Sequence, residues 1–200
     1  MTYNTFDDSH LADSRVRDFL GRHAWRLGGL AVIAISLAMI ASLITWRVDD
    51  PSFSYAIDGP AQNILGRPGA AFADLAMQFF GLAIVGIVFP LMLTGWNLLR
   101  LRLPRRPIRQ LAAWLLGAVL LATALSCLPV LEKWPLPTGL GGASGDLVLS
   151  LAGWLDGGSL SGGLYAALFI VLMGVSLGFL WVACLSRPAA VAPVRRARRP

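Results

Sequence analysis

Four long apolar stretches that contain no charged side chain constrain this sequence more than any other feature. They cover residues 27–46, 75–99, 111–131 and 164–185. At a helical rise of about 1.5 Å per residue, each is long enough to cross a hydrocarbon layer roughly 30 Å thick. Only a helix satisfies its own backbone hydrogen bonds within one such segment. The sequence therefore predicts an all-α fold, an integral membrane bundle of four transmembrane helices.

The composition supports this prediction, because 56% of the residues are hydrophobic and only 14% are charged. Soluble domains carry roughly 25% charged residues. We divide the chain into a cytoplasmic N-terminal tail at 1–26, a four-helix transmembrane domain at 27–186, and the start of a cytoplasmic linker rich in Arg, Pro and Ala at 187–200. The tail lacks the apolar core and cleavage site of a secretory signal, so we expect it to be retained.

A fifth apolar stretch, residues 147–155, is too short to cross the membrane. Leu147, Leu151 and Trp154 share one face of a helix drawn through it. An interfacial or re-entrant helix in the second outer loop fits this segment better than a span.

Arginine and lysine are distributed unequally between the two predicted sides of the membrane. One side carries 14 of the 17 basic residues. The other side carries Arg47, Arg67 and Lys133. Since short cytoplasmic loops are enriched in Lys and Arg, both termini are predicted to be cytoplasmic. Counting 147–155 as a span would divide the basic residues almost equally, which argues against a fifth span.

The sequence offers no catalytic, cofactor-binding or metal-binding set. The predicted spans hold no ionisable residue, which argues against proton relay and ion coupling. Phosphate-loop and HExxH patterns are absent from these 200 residues. The two cysteines, Cys127 and Cys184, lie in separate spans near opposite predicted faces, so we expect no disulfide. We therefore predict a chain that is not itself an enzyme.

Small residues at helical spacing mark candidate surfaces for helix packing. Ala34 and Ala38 lie in the first span, and Gly174 and Gly178 lie in the fourth. Such residues let helix backbones approach closely in membranes. The contact can lie within one bundle or between subunits, and the spacing does not decide between them.

The outer loops carry a recognisable order of motifs. Asp50-Pro51-Ser52-Phe53-Ser54 follows the first span, and a segment from Asn63 to Asp74 with glycines at 66 and 69 precedes the second. Phe80-Gly81 lies early in that span, and Gly141, Gly142 and Gly145 precede the short apolar stretch. This arrangement resembles the N-terminal four-helix membrane domain of the FtsK/SpoIIIE family of DNA translocases, over roughly residues 20–187.

The resemblance implies a structural or partner-binding motif in the first outer loop. Its residues in this sequence are Asp50, Pro51, Ser52, Asn63, Gly66, Gly69 and Asp74. A purely structural reading is also open, because proline and glycine alone can set the turns between two spans.

The resemblance also implies a function. The chain would be the membrane anchor and oligomerisation module of a cell-division DNA translocase in the bacterial inner membrane, located at the septum for chromosome segregation. Its partners would be the lipid bilayer, further copies of the chain and membrane proteins of the divisome. ATP, Mg²⁺ and DNA would be bound only by a C-terminal motor that these 200 residues do not contain.

Three alternatives remain open on sequence grounds. The first is a generic inner-membrane scaffold that binds anionic lipid or other membrane proteins through its arginine clusters. The second, less favoured, is a small transporter. The third is direct DNA contact by the five arginines at 187–199, although arginines next to a span are more often explained by orientation and lipid headgroups.

Overall fold

The computed structural model describes residues 5–53, 59–104, 106–130, 132, 134–155, 162–184 and 188–189. Most of the predicted linker at 187–200 lies outside these ranges. So do Lys133 and the arginines at 105, 187, 195, 196, 198 and 199. The side chain of Trp154, which we predicted on the apolar face of the short helix, also falls outside the description.

The architecture is helical, as predicted. Helices α1 to α6 cover Thr5–Ile44, Gly66–Phe80, Val85–Leu99, Pro107–Ser126, Gly142–Leu155 and Gly162–Cys184, and a 3₁₀ turn at Gly81–Ile84 joins α2 to α3. Two two-residue strands, β1 (Leu103–Pro104) and β2 (Pro188–Ala189), pair antiparallel. Within the described ranges, four segments are long and apolar enough to cross a membrane: Phe19–Ile44, Gly66–Leu99, Pro107–Ser126 and Gly162–Cys184. The short predicted helix is present as α5.

Helix α1 is longer than the first predicted span. It begins at Thr5, inside the predicted N-terminal tail, and continues without a break to Ile44. Its contact with α3 depends on two glycines. A Cβ atom at Gly29 would lie 2.6 Å from the Leu99 backbone nitrogen and 2.8 Å from the Gly95 carbonyl oxygen. The two backbones can approach this closely only because neither glycine has a side chain.

Hydrogen bonds from polar side chains to glycine carbonyls join the remaining spans. The Ser176 hydroxyl on α6 donates a hydrogen bond to the Gly117 carbonyl on α4 at 2.9 Å. The Trp114 indole N–H on α4 donates to the Gly86 carbonyl on α3 at 3.0 Å. Hydrogen bonds of this kind support helix association in lipid, where the hydrophobic effect between helices is absent.

The segment Gly66–Leu99 cannot be one straight helix, whereas the sequence predicts a single span over 75–99. Gly69 contacts Ser42 of α1 and Gly95 contacts Gly29 of α1. Ser42 and Gly29 lie about 20 Å apart along α1, whereas Gly69 and Gly95 would lie about 39 Å apart on a straight helix. The chain therefore bends, and the bend lies at Gly81, which has φ 52° and ψ −136°.

The bend places α2 across one end of the bundle. We call this the outer end, because it carries the segments predicted to lie outside. A buried cluster lies here between α2 and the outer halves of α1 and α3, and it comprises Ala76, Met77, Ile84, Val88 and Leu136. From Gly81 to Leu99 the chain has about 19 residues, or about 28 Å of helix, which matches a hydrocarbon layer.

The inner end of α3 closes with a left-handed residue. The Arg102 amide donates to the Asn97 carbonyl at 2.8 Å, and the Leu101 amide donates to the Leu98 carbonyl at 2.9 Å. These two bonds form a Schellman motif, in which Leu101 takes the position usually held by glycine, at φ 57°. The chain thereby turns sharply into the arginine-rich inner loop.

We expect Gly29→Ala to lower the free energy of unfolding by about 1–3 kcal/mol, the usual cost of overpacking, because its Cβ would collide with α3. Gly28→Ala is the matched control, since a Cβ at Gly28 would meet nothing within 4 Å. Denaturation of the purified chain in detergent measures both variants. Equal stability of Gly29→Ala and the parent would contradict the proposed α1–α3 contact.

Candidate interaction surface at the outer end

Asn63 connects the first outer loop to the end of α1. Its side chain is buried, and its Nδ2 donates a hydrogen bond to the Ser42 carbonyl at 2.8 Å. Its Oδ1 accepts from the Leu65 amide at 3.1 Å, and its own carbonyl accepts from the Gly66 amide at 2.8 Å. Asn63 thus donates a hydrogen bond to a carbonyl near the end of α1 and also stabilises the turn that starts α2.

The two glycines of the motif serve this same junction. Gly66 has φ 64°, a left-handed conformation that glycine adopts without a steric penalty. Gly69 is buried, and its carbonyl accepts a hydrogen bond from the Ser42 hydroxyl at 2.6 Å. A Cβ at Gly69 would collide with the Asn63 Oδ1 atom. Asn63, Gly69 and Ser42 therefore form one tightly packed contact between α1 and α2.

The two aspartates of the motif are buried rather than displayed. Asp50 is 3% exposed, and its Oδ1 accepts a hydrogen bond from the Gln62 amide at 2.8 Å. Asp74 is also 3% exposed, and its Oδ1 accepts from the Gln78 Nε2 at 3.0 Å within α2. Asp50 tethers the two ends of the loop, whereas Asp74 lies within α2, where the sequence predicts an outer loop before the second span.

In the described part of this loop two large apolar residues, Phe53 and Ile64, are exposed beside polar residues such as Gln62 and Arg67. Phe53 is 82% exposed and Ile64 is 69% exposed, while the motif residues Pro51 and Ser52 next to Phe53 are partly buried. The Ile64 amide donates to the Thr45 hydroxyl at 3.2 Å, which fixes its backbone against α1. We name Phe53 and Ile64 the outer apolar pair. The buried motif residues hold the loop on which this pair is presented.

The second outer loop is joined to the bend in the second span by two glycines. Gly81 and Gly142 have φ values of 52° and 67°, and a Cβ at Gly142 would lie 2.7 Å from the Gly81 nitrogen. Next to this contact, the Leu82 amide donates a hydrogen bond to the Leu140 carbonyl at 2.9 Å. The structure therefore brings together Phe80-Gly81 and Gly141-Gly142, two motif elements about 60 residues apart in the sequence.

Asp146 fixes the start of α5 on the outer end of α4. Its Oδ1 accepts a hydrogen bond from the Ser126 hydroxyl at 2.5 Å, and its Oδ2 accepts from the Gly139 amide at 2.8 Å. A Cβ at Gly145 would collide with the Ala122 carbonyl. Further along α5, Leu147 is 61% exposed and Leu151 is 56% exposed. This helix therefore presents an apolar face away from the bundle, as expected for an interfacial position.

The small residues proposed for helix packing lie mostly on the outside of the bundle. Gly174 and Gly178 are exposed, and a Cβ at either position would meet nothing within 4 Å. Ala34 is exposed and Ala38 is partly buried. Within the chain, the packing role of α6 falls to Ser176 instead, and that of α1 to Gly29. Packing between subunits remains the open alternative for Gly174 and Gly178.

The chemistry of this outer end suits recognition. In the described residues, no group of three or more His, Cys, Asp or Glu side chains is placed to hold a metal ion. The buried carboxylates of Asp50 and Asp146 accept hydrogen bonds from backbone amides. The outer end offers another molecule both large apolar side chains, such as Phe53, Ile64 and Leu147, and polar ones, such as Gln62 and Arg67.

We expect Gly69→Ala to lower the free energy of unfolding by about 1–3 kcal/mol and to separate α2 from α1, because the added Cβ would displace Asn63. Gly59→Ala in the same loop is the control, since a Cβ there would meet nothing within 4 Å. Unfolding in detergent together with protease cleavage of the outer loop measures both effects. An unchanged Gly69→Ala variant would contradict the described junction.

Comparison with known proteins agrees with these features. Residues 22–188 match the family model for the 4TM region of DNA translocase FtsK/SpoIIIE. The DNA translocase FtsK of Brucella suis biovar 1 is 40% identical over 88% of this chain, which corresponds to 21% of that protein. The DNA translocase FtsK of Mesorhizobium japonicum is 42% identical over 81% of this chain and 18% of that protein.

A more distant relative shows the same pattern. The DNA translocase FtsK of Caulobacter vibrioides is 32% identical over 65% of this chain and 17% of that protein. The chain thus spans about a fifth of the length of these relatives, and the match lies in their transmembrane region. No solved structure matches the chain. The chain belongs to the family of four-helix transmembrane regions of FtsK/SpoIIIE DNA translocases, and it is a multi-pass membrane protein.

Proposed function

We propose that this chain anchors a DNA translocase in the inner membrane at the division septum and assembles it into an oligomer. The observation that carries the proposal is the family match over residues 22–188, which includes all four spans. The relatives are named DNA translocases and are about five times longer than the matched region. On this proposal the remainder of such a protein holds the motor, with its ATP and Mg²⁺, while this chain holds the motor at the membrane.

Both tails are proposed to be cytoplasmic. Contact of Gly29 with Leu99 brings the start of the first span next to the end of α3. The basic residues whose side chains are described at this end are Arg22, Arg26, Arg100, Arg102, Arg106 and Arg109. At the opposite end the described part of the chain has Arg47 and Arg67. Since basic residues are enriched on the cytoplasmic side of short loops, the arginine-rich end is the cytoplasmic one.

Oligomerisation is supported by the sparse packing of α6 within the chain. Ser176 is the one buried residue of α6 in the described range Gly162–Cys184. The exposed Gly174 would allow the backbone of another helix to approach this surface closely. A second copy of the chain is the proposed occupant, and the surrounding lipid covers whatever remains.

Septal location is proposed to depend on the outer apolar pair, Phe53 and Ile64. Large exposed apolar side chains at the outer end cannot be explained by packing within the chain, and such residues are frequent in protein interfaces. The partners would be other membrane proteins of the division machinery. The buried motif residues would contribute by keeping the pair in place.

The proposal predicts that this chain, fused at its C-terminus to a fluorescent protein that matures only in the cytoplasm, gives a bright band at mid-cell in dividing bacteria. Phe53→Ser combined with Ile64→Ser is expected to spread the signal over the membrane. Ile108→Ser is the control, because Ile108 is 81% exposed at the inner end. Uniform labelling by the parent chain would contradict septal anchoring, and absence of fluorescence with normal amounts of protein would contradict a cytoplasmic C-terminus.

A further inference from the structure

A groove with a charged end and an apolar floor lies between α4 and α6. Its volume is about 1070 Å³. Arg106 and Arg109, at the start of α4, line one end together with Gln110. The floor continues along both helices and includes Leu116, Val175, Phe179 and Val182. The neighbouring spans therefore do not cover this part of the bundle.

The groove exists because small residues line it. Ala112 and Ala113 of α4 and Gly178 of α6 are among its residues. A Cβ at Gly178 would meet nothing within 4 Å, so this glycine does not serve a contact within the chain. Its missing side chain instead deepens the groove between two helices that are packed together through Ser176 and Gly117.

The charged end and the apolar floor are placed as the two parts of a phospholipid require. Arg106 and Arg109 are both exposed, and they stand at the end of the bundle that carries most of the described arginines. From Arg106 to Leu116 the groove extends about 15 Å along α4, which is about half of a hydrocarbon layer. A phospholipid in one leaflet of the bilayer has an acyl chain whose length matches that of the groove, with its headgroup at the level of the two arginines.

The arginine pair also selects the charge of the headgroup. Guanidinium groups bind phosphate oxygens through several hydrogen bonds at once. Basic pockets between spans on the cytoplasmic side are suited to anionic headgroups. The N-terminus of α4 begins next to its N-cap residue, Arg106. The positive end of the α4 helix dipole therefore also attracts an anionic headgroup.

We propose that this groove is a specific site for one anionic phospholipid, with its phosphate on Arg106 and Arg109 and an acyl chain along Gly178 and Phe179. Such a site differs from a general attraction of basic loops to the membrane, because it needs both the charge pair and the open space at Gly178. The inference depends on insertion of the chain in a membrane and does not depend on septal anchoring.

The test uses the full chain purified in mild detergent and supplied with phosphatidylglycerol or phosphatidylcholine, with bound lipid measured by native mass spectrometry. The parent chain is expected to retain phosphatidylglycerol in preference to phosphatidylcholine. Arg106→Gln combined with Arg109→Gln should weaken retention roughly thirtyfold, since each arginine near an anionic lipid contributes on the order of a fivefold factor. Arg26→Gln with Arg100→Gln removes equal charge from the same end and should leave retention within about twofold.

Gly178→Leu tests the apolar part of the site independently of charge. A Cβ at this position would meet nothing within 4 Å, so the fold should persist while the rest of the leucine occupies the groove and phosphatidylglycerol retention falls about tenfold or more. Gly174→Leu is the control, because Gly174 is equally open but does not line the groove. Unfolding in detergent verifies that all variants are folded.

Three results would overturn the proposal. The first is equal retention of the two lipids by the parent chain. The second is an equal loss of phosphatidylglycerol from the Arg106/Arg109 variant and its charge-matched control, which would indicate general electrostatic attraction. The third is phosphatidylglycerol retention that is unaffected by Gly178→Leu in a folded variant, which would show that no acyl chain lies along Gly178.

Discussion

The contact between Gly81 and Gly142 is the interaction on which the arrangement of the outer end depends. In lipid every backbone polar group needs a partner, so a span can be interrupted only where another segment supplies the missing hydrogen bonds. Here the Leu140 carbonyl accepts from the Leu82 amide, and two glycines with positive φ let the backbones meet. The same contact lies where α2 turns away from the span and joins the start of α5 to this bend, while Asp146 fixes α5 on α4.

The sequence predicted those parts of the fold that depend on length and hydropathy. Four charge-free stretches gave the four spans, and the shortness of 147–155 excluded a fifth. The bend at Gly81 could not be predicted in this way. Residues 75–80 are as apolar as the span that follows, and hydropathy does not record the direction of a helix. Only the contacts of Gly69 and Gly95 with a single short length of α1 reveal that the chain turns.

Small residues illustrate a second limit of sequence reasoning. Gly174 and Gly178 have the spacing of a packing motif, yet both are exposed on α6. Gly29 and Gly95, which do bring two helices together, have no small residue three or four positions away that would single them out. The first outer loop shows a similar division. Its motif was found by resemblance, but only the three-dimensional arrangement shows that Asp50 and Asn63 are buried while Phe53 and Ile64 are exposed.

The two ends of the bundle have different chemistry, which suits an anchor that works between two compartments. The outer end is held by buried hydrogen bonds and presents apolar side chains. The inner end carries exposed arginines beside a lipid-sized groove. A bundle of this kind has little need for charged groups inside the spans, because it would hold and position another domain rather than move solutes.

The central structural claim is that α2 folds back over the outer end instead of extending the second span. Pulsed electron paramagnetic resonance tests it directly, with spin labels on cysteines at positions 64 and 100 in a chain that carries Cys127→Ala and Cys184→Ala. Ile64 lies beside Thr45, and Arg100 follows Leu99, which contacts Gly29. The account predicts a separation of about 25–35 Å, because Thr45 and Gly29 lie about 24 Å apart along α1. A separation near 50 Å, as for a straight helix over 66–99, would contradict it.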